Sequence, residues 1–159
     1  MLCLSGGRSG WVERLLRARA PEAAERYVGR LADIYAGRAY LSVEIHQPGD
    51  RDIVEAVARL GQGLGLRPVA VQPVYCLAAE EDCRLRLLAA IDHNVPLDAV
   101  PPAALPALGD PRVAVHWLSA EEVTKRFAAF PQAVAQVEEV LSRCGPALPG
   151  GEPLWPELK

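Results

Sequence analysis

Apolar positions change period several times along the chain, and each change marks an element. Between Ala39 and His46 they alternate: Tyr40, Ser42, Glu44 and His46 fall on one face, Leu41, Val43 and Ile45 on the other. That is the period of a strand whose aliphatic side packs on helices. Pro68-Val69-Ala70-Val71 is instead a continuous run, rich in β-branched residues and too short for a helix. Such a run predicts a central strand buried on both faces of a parallel sheet. Gln72-Pro73 stops it, since proline has no amide for the ladder. Glu80-Glu81-Asp82 then forms an acidic first turn, suited to the positive end of a helix dipole. The stretch Arg67–Asp82 therefore predicts a strand handing over to a helix, the junction where chemistry sits in α/β folds.

The helices follow from 3.6-residue spacing. Leu2-Cys3-Leu4 predicts a short strand, Ser5–Gly10 a glycine loop, and Trp11–Arg17 a helix start. Pro21 opens the next helix, with Ala23, Tyr27, Leu31 and Ile34 facing the core and Gly37 at its end. Gln47–Asp50 is a turn with Asp50 as N-cap. The helix from Arg51 carries a stripe of Ile53, Val57, Leu60 and Leu64, and Gly61, Gly63 and Gly65 fray its end. Glu80–Ile91 places Leu85, Leu88 and Ile91 on one stripe. Asp92–Pro106 is proline-rich and irregular, Leu105–Leu108 a single turn, and Val113–His116 a short extended piece. Ser119-Ala-Glu-Glu122 is a capping box, after which Val123, Phe127 and Phe130 point inward. Pro131 starts the last helix, with Val134, Val137 and Leu141 in its stripe, and Cys144-Gly145-Pro146 ends it. Residues 1–145 thus read as one domain and 146–159 as a Pro/Gly-rich tail.

Composition narrows the class. The 159 residues are 50% hydrophobic, enough for a real core and too apolar for wholesale disorder. A formal charge of −3 and a pI near 5.6 oppose a dedicated nucleic-acid binder and leave only weak or indirect binding. No apolar stretch suits a signal peptide or a membrane span, so the expected location is the cytoplasm. Cys3, Cys76, Cys83 and Cys144 have no zinc-type spacing and read as reduced cytosolic thiols.

Candidate chemistry is sparse. The strand–glycine loop–helix at residues 4–11 is the arrangement that cradles phosphate. It lacks both the Walker A lysine and GxGxxG, so a tight turn is the plainer reading. Glu44 and His46, stacked at a strand's C-terminal end, are the candidate metal or acid–base pair. His93 and His116 lie in irregular segments and read as structural or exposed. The arginines at 14, 17 and 19, and at 84 and 86, could form a small basic patch, but nearby acids favour a solvated helix face.

Five stretches resemble the PHP (polymerase and histidinol phosphatase) domain of bacterial DNA polymerase III α subunits. His116-Trp-Leu-Ser-Ala-Glu-Glu-Val, Phe127-Ala-Ala-Phe-Pro-Gln-Ala-Val and Val137-Glu-Glu-Val-Leu-Ser-Arg-Cys144 are similar to the segment that ends that domain. Leu4-Ser-Gly-Gly-Arg-Ser-Gly10 is similar to the family's Leu-Ser-Gly-Cys-x-x-Gly, whose Cys binds metal. Ala70-Val-Gln-Pro-Val-Tyr-Cys76 is similar to its Ala-Thr-Asn-Asp-Val-His-Tyr, whose Asp and His bind metal. The resemblance covers about residues 2–150 and only the second half of a PHP domain, without the opening His-x-His motif or a polymerase body. It implies that Gly7, Pro73 and Tyr75 stand where ligands would be, and none of the three is a ligand for Zn²⁺ or Mn²⁺. Glycine at position 7 tilts the likeness toward the translesion branch.

The expected fold is α/β: part of a distorted barrel, about three parallel strands with helices mostly on one side, plus a C-terminal helical pair. The resemblance implies a non-catalytic interaction or scaffold module linked to DNA replication or lesion bypass, with no cofactor. The alternative is a metal-dependent phosphoesterase or 3′–5′ proofreading nuclease using Glu44 and His46 with Zn or Mn. A decayed gene product is a third reading. A partial barrel leaves a strand edge open and the face with the Tyr40 side of its strand and either Val69 or Ala70 without cover. That predicts a partner, either a second copy in a homodimer or a polymerase or repair protein.

Overall fold

The computed structural model describes residues 1–145; the proposed tail at 146–159 lies outside the described residues. The elements run β1 (Cys3–Leu4), α1 (Trp11–Arg17), α2 (Pro21–Tyr35), β2 (Ala39–Val43), α3 (Arg51–Gly63), β3 (Arg67–Ala70), α4 (Asp82–His93), α5 (Ala120–Arg126) and α6 (Pro131–Ser142). The fold is therefore mixed α/β, with a three-stranded parallel sheet compatible with part of a barrel.

Strand order is β1-β2-β3, so the strand expected at the centre is at an edge of this sheet and β2 is central. Pro68 explains the placement, because a strand containing proline is tolerated only where an amide is not required. All five residues of β2 are buried. Its helix-facing side, Leu41 and Val43, packs with Val12, Val28, Val54 and Val57 in the main core. β2 ends at Val43 rather than His46. Asp50 Oδ2 accepts the backbone N–H groups of His46 (3.0 Å) and Gln47 (3.1 Å), which turns the chain away from the sheet. The Asp50 carboxylate is thus spent upstream and does not cap α3.

Several helix faces are rotated from expectation. In α2 the fully buried residues are Ala24 and Val28, while Ile34 is exposed. In α3 they are Val54, Val57 and Gly61. Gly61 does not fray the helix; it is a contact point. A Cβ there would lie 2.6 Å from the Leu66 carbonyl oxygen and 2.9 Å from Leu41 Cδ1, so glycine lets α3 settle onto β2. Gly37, at φ +69°, ends α2 as expected. In α6 the buried residues are Ala133 and Gln136, and Leu141 is exposed.

The C-terminal helices close the sheet. Phe127 is buried in the main core, with Val123, Phe130, Val134 and Val137 against it. α6 lies along β3, and its Glu139 reaches the Arg67 guanidinium and accepts from the Tyr40 hydroxyl at 3.3 Å. Register puts Val69 beside Ser42 on the Tyr40 face and Ala70 beside Val43 on the helix side, and Tyr40, Val69 and Ala70 are all buried within this one chain. Open-face exposure therefore gives no ground for a partner. The Ser119 cap forms as expected: Ser119 Oγ accepts from Glu122 N–H at 3.2 Å, and the Glu122 carboxylate accepts from Ser119 N–H at 2.8 Å.

Candidate functional site

The C-terminal ends of β1, β2 and β3 converge, as parallel strands require, and the loops after them meet there. Ser5 and Ser42 lock the first two together. Ser5 Oγ accepts the Ser42 N–H at 2.9 Å, and Ser42 Oγ accepts the Gly6 N–H at 3.3 Å. The glycine loop then folds tightly: Gly6 and Gly7 have φ +90° and +55°, the left-handed region that favours glycine.

That turn sets Gly7 against Glu44. A Cβ on residue 7 would lie 2.0 Å from Glu44 Oε1 and 2.9 Å from its Cδ, so the carboxylate fills the space a side chain would need. Glu44 Oε1 accepts the Arg8 N–H at 2.9 Å, and Oε2 is 2.9 Å from His46 Nε2. The His46 side chain is fully buried, and its Nδ1 has no hydrogen-bond partner. Nε2 is the ring nitrogen directed at the Glu44 carboxylate, and Nδ1 on the other side of the ring meets no partner.

Glu44, Pro73 and Tyr75 line one cavity of about 150 Å³, with Gly6, Arg8 and Val115 beside them. Tyr75 is held there by its N–H bond to the Val115 carbonyl, at 2.7 Å, where residues 113–116 pass beside the chain after β3. The structure thus brings Gly7, Glu44, Pro73 and Tyr75 to one place, with His46 behind Glu44. His93 is at the end of α4, 3.8 Å from Asp92, and His116 bridges to Cys76; neither lines this cavity.

Beside Glu44 lies an ionic network that the sequence reading missed. Arg8 Nη1 is 3.2 Å from Asp50 Oδ1, and Arg17 Nη2 is 3.1 Å from the same oxygen and 2.6 Å from Glu13 Oε1. Arg8 also approaches Asp110 at 3.6 Å. Burial opposes ionisation of Asp50, yet N–H bonds from His46 and Gln47, the Arg17 hydrogen bond and the Arg8 charge together hold its pKa below the ordinary value. Burial dominates at Glu13 and raises its pKa in spite of Arg17. Asp110 is lowered to about 2, chiefly by hydrogen bonds from Arg112. Arg17 is therefore committed to buried carboxylates, whereas Arg14 stacks on Trp11 at 4.7 Å as a surface residue would. The clue available in sequence was an arginine inside a glycine loop, a costly place for a long charged side chain without a partner.

This donor set does not fit a divalent ion. Gly7 offers no side chain, Pro73 no donor, and both Glu44 oxygens are already engaged. Among the described residues no group of three or more His, Cys, Asp or Glu side chains converges as a metal site. A cavity of about 150 Å³ also falls below the roughly 300–1,000 Å³ typical of small-molecule sites.

Along its whole length, over 163 aligned positions, the chain is 34% identical to an error-prone DNA polymerase of Symbiobacterium thermophilum. It is 25% identical over 151 positions, 94% of this chain, to a DNA polymerase III subunit alpha of Halalkalibacterium halodurans. The chain spans 14% and 13% of the length of those two relatives. No protein-family model matches the chain. No helix among the described residues is long and apolar enough to cross a membrane.

Proposed function

We propose that this chain is a non-catalytic interaction or scaffold module of PHP type, related to DNA polymerase III α subunits and serving DNA replication or lesion bypass. Its similarity to a segment of two such polymerases supports the link to replication. The observation that carries the non-catalytic reading is the Glu44 carboxylate lying in the side-chain space of Gly7. The resemblance puts a metal ligand at that position. Here an internal hydrogen-bonded carboxylate takes the space instead, and its neighbours satisfy it without an ion. The ion pairs that Arg8 and Arg17 make to the buried Asp50 beside it support the same reading. The proposed setting is the cytoplasm, with no cofactor and only weak or indirect contact with nucleic acid.

The competing reading is a Zn- or Mn-dependent phosphoesterase or 3′–5′ nuclease. One observation favours it: His46 Nδ1 is buried and unpartnered, and a single free imidazole nitrogen is one ligand of the several such ions require. The experiment strips the protein with chelator, reloads Zn²⁺ or Mn²⁺, and measures bound metal together with hydrolysis of a phosphomonoester and of single-stranded DNA. The proposal expects substoichiometric metal and no turnover above buffer. Stoichiometric metal with turnover lost in His46→Ala would overturn it.

A further inference from the structure

α4 turns its small side chains inward and its large ones outward. Ala89 and Ala90 are buried with Val100, and Val95, Ala104 and Leu105 pack around them. On the opposite side Leu87, Leu88 and Ile91 are 52%, 63% and 67% exposed. Together with Arg84 they stand at i, i+3, i+4 and i+7, one continuous helix face. Of the sequence-derived stripe Leu85, Leu88 and Ile91, the last two thus stand in a surface ridge while Leu85 is half-buried. Contiguous apolar surface of this kind marks an interaction site.

The ridge is flanked by two grooves. One, of about 520 Å³, lies between α4 and residues 94–97 and includes Leu97; the other, of about 440 Å³, runs between Leu88 and Tyr75. The charges at the two ends of the ridge are opposite. The Arg84 side chain is 71% exposed and that of Asp92 is 84% exposed. Residues 84 and 92 are equally spaced about Leu88, so turning the helix end over end about Leu88 sets Arg84 onto Asp92. An isologous two-fold contact requires this self-complementary pattern.

We propose that α4 is the contact face of a homodimer. Two copies pack α4 antiparallel about an axis at Leu88, Leu87 and Ile91 of each enter the grooves of the other, and Arg84 pairs with Asp92 of the partner subunit at both ends. The existing contacts of these two residues do not compete strongly. Arg84 pairs with Glu81 one turn away and Asp92 with its neighbour His93 at 3.8 Å, and the Arg84 and Asp92 side chains are themselves mostly exposed, so both can rearrange. A lipid surface or an unrelated polypeptide would match the aliphatic ridge but not the antisymmetric charges. This inference stands independently of whether the Glu44 site is catalytic.

Sedimentation equilibrium of the full chain, up to about 100 μM, tests it. The wild type should be a dimer. Leu88→Asp should weaken association about 100-fold or more, since it places two carboxylates at the axis. Arg84→Asp and Asp92→Arg should each weaken it by about tenfold, because the pair occurs twice. Combining them should restore the wild-type constant to within about threefold. These side chains are exposed, so circular dichroism and the melting temperature extrapolated to the monomer should not change. A wild-type monomer at the highest concentration would overturn the proposal. So would a dimer insensitive to Leu88→Asp, or a double charge swap that fails to recover. Association only with a different polypeptide would also overturn it.

Discussion

Gly7→Ala is the most direct probe of the close approach between residue 7 and Glu44. Two costs combine. A non-glycine residue held at φ +55° loses about 1–2 kcal/mol to left-handed strain. The new methyl would also lie 2.0 Å from Glu44 Oε1 and 2.9 Å from Cδ, so the carboxylate must swing away. It then gives up the Arg8 N–H and leaves His46 Nε2 unpaired. Hydrogen bonds to a charged group contribute about 1.5–3 kcal/mol, and the pair here shares one carboxylate, so about 2–3 kcal/mol is lost. The total, about 3–5 kcal/mol, is a large share of a typical stability of about 5–15 kcal/mol. Urea unfolding of Gly7→Ala, Glu44→Ala and the double variant resolves the two parts. In the Glu44→Ala background nothing is left to displace, and Gly7→Ala should cost only the backbone part, about 1–2 kcal/mol. The cycle should therefore show a coupling of about 2–3 kcal/mol. Equal costs of Gly7→Ala in both backgrounds would refute the account of why residue 7 is glycine.

Three further outcomes are expected. The folded-state pKa of Asp50 is depressed, so its stabilisation is complete above the unfolded value of about 3.9 and is lost as pH falls through the folded value. Asp110, lowered to about 2, acts in the same direction; melts from neutral to acid pH should fall steeply below about pH 4, and Asp50→Asn, costing about 1.5–3 kcal/mol at neutral pH, should flatten that fall. Gly29→Ala in α2 meets nothing within 4 Å and should stabilise by about 0.5–1 kcal/mol, whereas Gly61→Ala should destabilise by about 1–3 kcal/mol, because its Cβ strikes the Leu66 carbonyl. Chemical denaturation of both variants checks the pair, and stabilisation by Gly61→Ala would show that α3 can back away from β2. Ser119→Ala should cost about 1 kcal/mol through loss of the α5 cap, read as a shift in denaturation midpoint.

The sequence by itself determined the elements and their order. Local chemistry is sufficient for that: proline at the first turn of α2 and α6, the Ser119–Glu122 box, glycine at φ +69° after α2, and alternation along β2 all act within a few residues. That Gly7, Glu44, His46, Pro73 and Tyr75 lie near one another was also legible, since they sit at or just beyond strand ends, and parallel strands bring such ends together. Tertiary structure decided the rest. Nothing local shows that Glu44 fills the space beside Gly7, or that Arg8 and Arg17 share Asp50, because those partners are 33 to 42 residues apart. Helix period locates an apolar stripe but not its neighbour. α4 has an apolar stripe and a face of small alanines, and packing put Ala89 and Ala90 inside while Leu88 and Ile91 stayed in solvent. The centre of the sheet was likewise a matter of pairing. Pro68 holds β3 at an edge, and the run Ala39–Val43, with strands on both sides, became the strand buried on both faces.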